Sequence, residues 1–310
     1  MIPTPSSAPG APPIATFEHA AKWYGHVIGL VDATVEIGPG VTGLLGPNGA
    51  GKSTFLKLLT GQLQPSQGTV RLLGVDPFAA PGVHAQVGFL PEQDSFYEDM
   101  TGRAFVRFLA GLHGCAAKAD EAIARVGLTD AAHRKIRTYS KGMRQRVKLA
   151  QAIAHDPKVL VLDEPLSGMD PVARRQMIDL MRDFEKRGAT VIVSSHILHE
   201  VEAMTDRVIL LYQGRVRAMG TREEIRGLLD KHPHQIRVQS PRPRDLARAL
   251  LDLPGVVGVR LDDGSVHVDT TDPEAVYDRL PRFVLEEGLP VEGLEAEDVS
   301  LDAIFGYLVK

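Results

Sequence analysis

One stretch constrains the fold of this chain more than any other. It reads Gly46-Pro47-Asn48-Gly49-Ala50-Gly51-Lys52-Ser53-Thr54 and fits the pattern G-x-x-x-x-G-K-[ST]. An apolar run of strand length, VTGLL at 41–45, precedes it, and a helix-like run follows at 54–59. This order of strand, glycine-rich turn and helix points backbone N–H groups and a helix start at an anion. A glycine-rich turn that matches by chance is the alternative, and the context on both sides argues against it.

Two side chains of this loop have defined chemistry. The Lys52 ammonium is expected to contact the β- and γ-phosphates of a nucleoside triphosphate, and the Ser53 hydroxyl to ligate Mg²⁺. Glycine at 46, 49 and 51 lets the backbone turn tightly. The sequence therefore predicts ATP and Mg²⁺ as ligands.

Composition limits the remaining possibilities. A chain of 310 residues with 44% hydrophobic and 24% charged residues is expected to form a large and a small globular domain. The net charge of −4 argues against non-specific nucleic-acid binding. The single Cys115 excludes an intrachain disulfide and a cysteine-cluster metal site. No apolar run approaches the roughly 18 residues of a membrane-spanning helix.

A second candidate region follows the apolar run VLVL at 159–162, which reads as a strand buried on both faces. It ends in Asp163 and Glu164, at the edge where ligands bind in open α/β sheets. Asp163 is the candidate for holding Mg²⁺ through water, and Glu164 is the candidate general base. A solvated loop start is the alternative for such an acidic pair.

Three further side chains are candidates by position. His196 follows the strand-like run at 190–193 and is expected to hydrogen-bond a γ-phosphate oxygen. Ser140 opens a helix and forms a second anion site, with a simple helix cap as the alternative. Tyr24, upstream of the phosphate loop, presents a ring to adenine or is a half-buried strand aromatic.

The order of elements predicts an α/β fold of the P-loop NTPase type, with a mixed sheet core and a helical subdomain at about 95–156. We expect a disordered tail over 1–15, with a proline-rich docking segment as the alternative, an ATPase domain over 16–229, and a linker over 230–234. Residues 235–310 read as β-α-β-β-α-β, a ferredoxin-like order, with its last strand expected at 289–294, followed by an amphipathic helix at 301–309. The Asp263-Gly264 pair marks a hairpin turn in that domain.

Taken together, five motifs resemble the ATP-binding subunit of ABC transporters. They are GPNGAGKST (46–54), YSKGM (139–143), VLVLDEP (159–165), SGMD (167–170) and SSH (194–196). The resemblance implies that Tyr24 stacks on adenine and that His196 is the switch histidine. It also implies that Ser140 and Gly142 cap the γ-phosphate of ATP held by the opposite subunit, and that Asp170 lies at the dimer seam.

The chain departs from the family pattern at two places that concern chemistry. The signature motif usually reads LSGGQ, whereas here Lys141 and Met143 replace a glycine and the glutamine, which predicts slow hydrolysis. The loop that usually supplies a glutamine to the metal reads Pro91-Glu92-Gln93, so Glu92 and Gln93 are both candidates.

One phosphate loop and one signature motif per chain imply that two copies close head-to-tail over two ATP molecules. The resemblance further implies a separate membrane permease as partner, export as the direction, and a cytoplasmic protein held at the inner face of the cell membrane. The C-terminal domain is expected to be dimer-stabilising or regulatory rather than ligand-binding. The alternatives are a soluble ABC-type ATPase and a slow nucleotide-gated switch not coupled to transport.

Overall fold

The computed structural model describes residues 12–227, 233–262 and 264–296. The chain divides into two compact units at Thr221/Arg222, so the boundary lies before the short helix that the sequence placed in the ATPase domain. The first strand already begins at Ala15, which the sequence had placed in the tail. Most of that tail, the linker positions 230–232, Asp263 and the helix predicted at 301–309 lie outside the described residues.

The first unit combines strands and helices in alternation. Its strands are β1 (Ala15–Tyr24), β2 (Val27–Ile37), β3 (Val41–Leu45), β4 (Gln67–Leu72), β5 (Val87–Leu90), β6 (Val159–Leu162), β7 (Thr190–Ser195), β8 (Arg207–Tyr212) and β9 (Arg215–Thr221). Its α-helices are α1 (Lys52–Leu59), α2 (Gly102–Leu112), α3 (Ala119–Arg125), α4 (Lys141–Ile153), α5 (Pro171–Lys186) and α6 (Leu198–Glu202).

The central sheet has six strands in the order β5-β6-β7-β3-β8-β9. The first five are parallel and β9 is antiparallel to β8, which confirms the predicted mixed sheet. Every residue of β3, β6 and β7 is buried, as expected for strands covered on both faces. Since parallel strands end at one edge, this topology brings the phosphate loop, Asp163, Glu164 and His196 to the same side.

A second, antiparallel sheet in the order β2-β1-β4 supports the phosphate loop from outside the central sheet. Phe17 of β1 stacks on Phe55 of α1 with ring centroids 4.1 Å apart, and both side chains are fully buried. This contact fixes the helix that begins at Lys52 against the strand that ends at Tyr24.

The stretch between β5 and β6 is described in full and contains no strand, which confirms the predicted helical insertion. Thr101 caps the first helix of this insertion, because its hydroxyl accepts a hydrogen bond from the Ala104 N–H at 3.2 Å. Helices α2, α3 and α4 contact one another, and Val106, Ile123 and Leu149 on them are buried.

The second unit begins with α7 (Arg222–Gly227) and continues with β10 (His234–Gln239), α8 (Pro243–Leu251), β11 (Val256–Asp262), β12 (Ser265–Thr270), α9 (Pro273–Glu286) and β13 (Gly293–Ala296). From β10 onwards the order is β-α-β-β-α-β, and the antiparallel sheet runs β11-β12-β10-β13. The last strand begins at Gly293 rather than at 289. Leu289 is buried in the core and its N–H bonds the Phe283 carbonyl, so this segment still closes the preceding helix.

No helix in these three described ranges is long and apolar enough to cross a membrane.

Candidate functional site

A cavity of about 370 Å³ opens beside the phosphate loop. Nine of the residues that the sequence selected line it, namely Tyr24, Asn48, Gly49, Gly51, Lys52, Ser53, Thr54, Glu92 and Glu164. The remaining lining residues are Val27, Ile28 and Gly29, which the sequence did not suggest. Most of the predicted nucleotide-binding residues within one chain thus surround a single space.

The phosphate loop depends on glycine at its tightest points. Gly51 caps α1 in the left-handed region at φ 106°, and a Cβ there would lie 2.5 Å from the Gly29 carbonyl oxygen. At Gly46 a Cβ would lie 2.2 Å from the Leu211 carbonyl oxygen. The loop also closes on itself, since the N–H of Ala50 donates to the Pro47 carbonyl at 3.1 Å.

Lys52 is buried at the floor of the cavity. Its Nζ donates to the carbonyl oxygens of Gly46 at 2.7 Å and Pro47 at 3.3 Å. It also lies 3.3 Å from Glu164 Oε1, and both side chains are less than a tenth exposed. The cation that the sequence assigned to phosphate is therefore paired with the predicted general base.

The two carboxylates after β6 point in different directions. Asp163 Oδ1 accepts a hydrogen bond from Ser194 Oγ at 2.6 Å, and the same Ser194 Oγ accepts from the Glu164 N–H at 2.9 Å. Glu164 adopts φ 49°, a left-handed conformation that is costly for a side chain with a Cβ. This backbone turn separates the two carboxylates, and Glu164 lines the cavity whereas Asp163 does not.

His196 contacts Glu164 directly, with Nδ1 2.9 Å from Oε2. Its side chain is 41% exposed, so it can also contact a bound ligand. Glu164 is thus held between a lysine and a histidine. Its Oε1 is buried and receives no hydrogen bond within the described residues, so its close contact there is the ion pair with Lys52 Nζ at 3.3 Å.

The sequence left open the role of Tyr24 and the choice between Glu92 and Gln93, and both depend on which side chain reaches the cavity. Tyr24 is half exposed, lines the cavity and lies against Gly29, with its hydroxyl 3.4 Å from Thr54 Oγ1. Glu92 also lines the cavity, whereas the neighbouring Gln93 does not.

Ser140, Gly142 and Asp170 lie together elsewhere and do not line this cavity. Ser140 caps α4, since its Oγ accepts from the Met143 N–H at 3.3 Å. A Cβ on Gly142 would lie 3.9 Å from Met169, next to the loop that leads to Asp170. Asp170 caps α5, and the N–H groups of Ala173 and Val172 that bond its carboxylate lower its pKa. The side chain of Lys141 lies over Gly168 of that loop.

Two residues with clear structural roles near the site were missed by sequence reasoning. Ser194 bridges Asp163 and Glu164, although the sequence shows only a serine at a strand end. Lys148, on α4, donates to the carbonyls of Pro91 and Glu92, and no local pattern signals this long-range contact. The described ranges contain no group of three or more His, Cys, Asp or Glu side chains suited to hold a metal ion by themselves.

Comparison with known proteins agrees with this geometry. The family model described as ABC transporter matches residues 30–167. The daunorubicin resistance ATP-binding protein DrrA3 of Streptomyces coeruleorubidus is 32% identical over 300 residues, covering 94% of this chain and 95% of that protein. An uncharacterised ABC transporter ATP-binding protein of Bacillus subtilis, YxlF, is 42% identical over 188 residues, covering 59% of this chain and 62% of that relative, less than two thirds of its length.

Among solved structures, an ATP-binding subunit of an ABC transporter superposes with a TM-score of 0.64. It is 28% identical, and the match covers 70% of this chain and 93% of that one. The α/β fold of the first unit is therefore that of an ABC ATPase cassette. With a relative matched over nearly its whole length, this chain belongs to the family of ABC transporter ATP-binding proteins.

Proposed function

We propose that this chain hydrolyses ATP and drives a separate membrane permease through ATP-dependent closure of two copies. One observation carries the proposal: a single cavity joins the phosphate loop, Glu92 and Glu164, whereas Ser140 and Asp170 lie outside it. One set of the expected contacts to a triphosphate thus faces the cavity of the same chain. The second set is left for the nucleotide of a second copy.

Each side chain has a role in this proposal. Tyr24 stacks on the adenine ring, Lys52 holds the β- and γ-phosphates, and His196 contacts a γ-phosphate oxygen. Glu164 activates the attacking water, since its side chain lines the cavity and lies between Lys52 and His196. Ser140, Gly142 and Asp170 complete the site of the opposite copy.

The oxygen donors near the cavity fit Mg²⁺, which prefers hard carboxylate and hydroxyl ligands. Ser53 and Glu92 line the cavity, and Asp163 is held next to it by Ser194. We propose that Ser53 binds the ion directly, that Asp163 holds it through water, and that Glu92 rather than Gln93 faces it. When bound, Mg²⁺ supplies positive charge to the β- and γ-phosphate oxygens.

We further propose that the permease docks over the groove between the central sheet and the helical insertion. A cavity of about 420 Å³ opens there, lined by Phe89, Phe96, Phe105 and Leu109 among others. Tyr97 and Phe108 are exposed and in edge-to-face contact, with centroids 6.2 Å apart. An apolar helix of an integral-membrane protein fits this surface, and binding there would place the chain at the inner face of the cell membrane.

Export is the proposed direction, because the relative matched over nearly its whole length is named for resistance to a drug, and removal of a drug protects a cell. The permease sets the cargo.

For the second unit we propose a ferredoxin-like fold with a dimer-stabilising or regulatory role, supported by its strand order and by the 84% exposed Leu285 on α9. Lower ATP-dependent dimer content of Leu285→Asp would support this role, and unchanged content would contradict it.

Phosphate release in the presence of Mg²⁺ and ATP tests the central proposal, with Lys52→Met as the control. Wild type should release phosphate, and the variant should lose at least about 100-fold of that rate, since Lys52 contacts the charge that develops in the reaction. Equal release by both proteins would contradict hydrolysis at this site. Binding of ATP without release would favour the slow nucleotide-gated switch.

A copurification experiment tests the docking surface. The permease should copurify with wild type but not with Tyr97→Asp or Phe108→Asp.

A further inference from the structure

One face of α4 bonds to the backbone of β5 and of the loop that follows it. Gln151 Nε2 donates to the Phe89 carbonyl at 2.8 Å. One helical turn earlier, Lys148 donates to the carbonyls of Pro91 and Glu92. Arg144, another turn earlier, binds both carboxylate oxygens of Glu98 at 2.6 and 2.8 Å. The three residues follow the spacing that places side chains on the same face of a helix.

Lys148 is the most deeply buried of these groups, with 3% of its surface exposed. Its Nζ lies 3.0 Å from the Pro91 carbonyl, 3.0 Å from the Glu92 carbonyl and 3.0 Å from Asp94 Oδ1. An ammonium has three N–H donors, so every donor has a partner. Burying a charged lysine is costly, and the loss of solvation lowers its pKa. The three acceptors offset that cost only while the loop keeps this conformation.

The loop held in this way contributes directly to the nucleotide cavity. Glu92 lines the cavity, and its own carbonyl is one of the three acceptors of Lys148. A bond to the carbonyl fixes the peptide plane from which the Glu92 side chain departs. Glu92 itself is exposed, and within the described residues its carboxylate has no hydrogen bond or ion pair, so the bond from Lys148 to its carbonyl is the polar contact that restrains this residue. The position of the Glu92 carboxylate therefore depends on Lys148.

The other end of the same helix reaches the second set of expected phosphate contacts. α4 begins at Lys141, and its cap is Ser140. Lys148 lies two turns further along this helix. The helix is thus a rigid connection between Ser140 and the backbone of Glu92.

We propose that Lys148 is a positioning residue that holds Glu92 at the nucleotide cavity and couples its position to the helix that begins at Ser140. This inference rests on the proposed function, because it assigns Glu92 a part in binding the Mg²⁺–ATP complex. Lys148 does not contact the nucleotide itself. It acts through the Pro91–Glu92 backbone.

Lys148→Met tests the proposal, because it keeps the length of the side chain and removes its donors. We expect kcat to fall about tenfold and the Mg²⁺ concentration for half-maximal activity to rise, with binding of a fluorescent ATP analogue without Mg²⁺ changed less than about twofold. A variant that unfolds more easily but keeps wild-type kcat and Mg²⁺ dependence below its melting transition would overturn the proposal. Asp94→Asn is the matched control, since it leaves both carbonyl bonds, and its kcat should fall less than about threefold. An equal loss in Asp94→Asn and Lys148→Met would show that the ion pair alone matters and would also overturn it.

A double-mutant cycle with Glu92→Ala shows whether Lys148 acts through Glu92. The Glu92→Ala variant lacks the carboxylate that Lys148 is proposed to position. Adding Lys148→Met to it should therefore change kcat and Mg²⁺ dependence less than about twofold. Additive losses would overturn the proposal. If wild type itself releases no phosphate, the proposed hydrolysis fails, and the same cycle is then measured by Mg²⁺-dependent binding of the fluorescent ATP analogue. In that case non-additive binding losses support the positioning role and additive losses overturn it.

Discussion

Lys52 Nζ lies 3.3 Å from Glu164 Oε1, so the cation of the phosphate loop is paired with a carboxylate that follows β6. Both groups are almost fully buried, and His196 Nδ1 lies 2.9 Å from the other carboxylate oxygen of Glu164. A triphosphate that enters the cavity competes with Glu164 for Lys52. Nucleotide binding would thereby release the carboxylate toward the attacking water.

Glu164→Gln should abolish phosphate release and leave ATP binding intact. The amide keeps the shape of the side chain but cannot accept a proton from water, so we expect a loss of at least about 100-fold in kcat. ATP that is not consumed should hold two copies together, which size-exclusion chromatography with ATP and Mg²⁺ would detect as a dimer. Only monomer under these conditions would show that closure requires the permease or does not occur. Lys52→Met combined with Glu164→Gln is the control and should remain monomeric.

Gly51→Ala should prevent nucleotide binding, whereas Gly49→Ala should weaken it less. Both glycines have positive φ, 106° and 81°, so both substitutions strain the backbone by about 1–3 kcal/mol. Only at Gly51 would the new Cβ meet backbone, 2.5 Å from the Gly29 carbonyl oxygen, while at Gly49 nothing lies within 4 Å. Titration with a fluorescent ATP analogue measures the affinity of each variant. The difference between the two affinities reports the clash, because both variants share the backbone strain. Equal affinities of the two variants would mean that the close approach to Gly29 is unimportant.

Tyr24→Ala should raise KM for ATP about fivefold to tenfold with little change in kcat, because stacking on adenine stabilises the bound substrate and the transition state equally. Tyr24→Phe keeps the ring and loses only the long 3.4 Å contact with Thr54, so its KM should stay within about twofold of wild type. Steady-state phosphate release measures both constants. A large KM effect in Tyr24→Phe would indicate that the hydroxyl, and not the ring, contributes to binding.

Mild acid should destabilise the first unit through His155. Burial and the stacked His113 ring, whose centroid is 4.0 Å away, lower the pKa of His155 below the ordinary 6.5. The unfolded chain therefore binds a proton at this residue before the folded chain does, so stability is lost as pH falls below about 6.5.

Melting temperatures at pH 7.5 and pH 5.5 measure this effect. The decrease should be smaller in His155→Gln than in wild type, because the glutamine amide can still donate to the Val87 carbonyl that His155 Nε2 now bonds at 3.1 Å. The exposed His133→Gln serves as control and should behave as wild type. An identical pH dependence in all three proteins would rule out His155 as the titrating group.

Local patterns predicted much of the fold, because the buried strands β6 and β7 and the helix after Lys52 each carry an unambiguous signal. Predictions were wrong where tertiary packing decides. Leu289 looked like the start of a strand, but burial against α9 delays β13 until Gly293. The short helix Arg222–Gly227 lies in the second unit, a grouping that no local pattern specifies.

The site residues also differ in how far the sequence could predict them. The phosphate loop and Glu164 belong to local sequence motifs, and both line one cavity in the structure. The choice between Glu92 and Gln93 required the direction of an irregular loop, which no periodicity encodes. The role of Lys148 could not be predicted from the sequence, because its two carbonyl partners are 57 and 56 residues away in the chain.

The left-handed backbone at Glu164 has a consequence for attempts to improve this protein. Glycine adopts φ 49° without strain, so Glu164→Gly would relieve about 1–3 kcal/mol of backbone energy. The same change would leave the buried Lys52 ammonium without its carboxylate, and breaking a buried ion pair costs about 3–5 kcal/mol. Selection for heat resistance alone should therefore retain Glu164, because the ion pair outweighs the strain that it imposes on the chain.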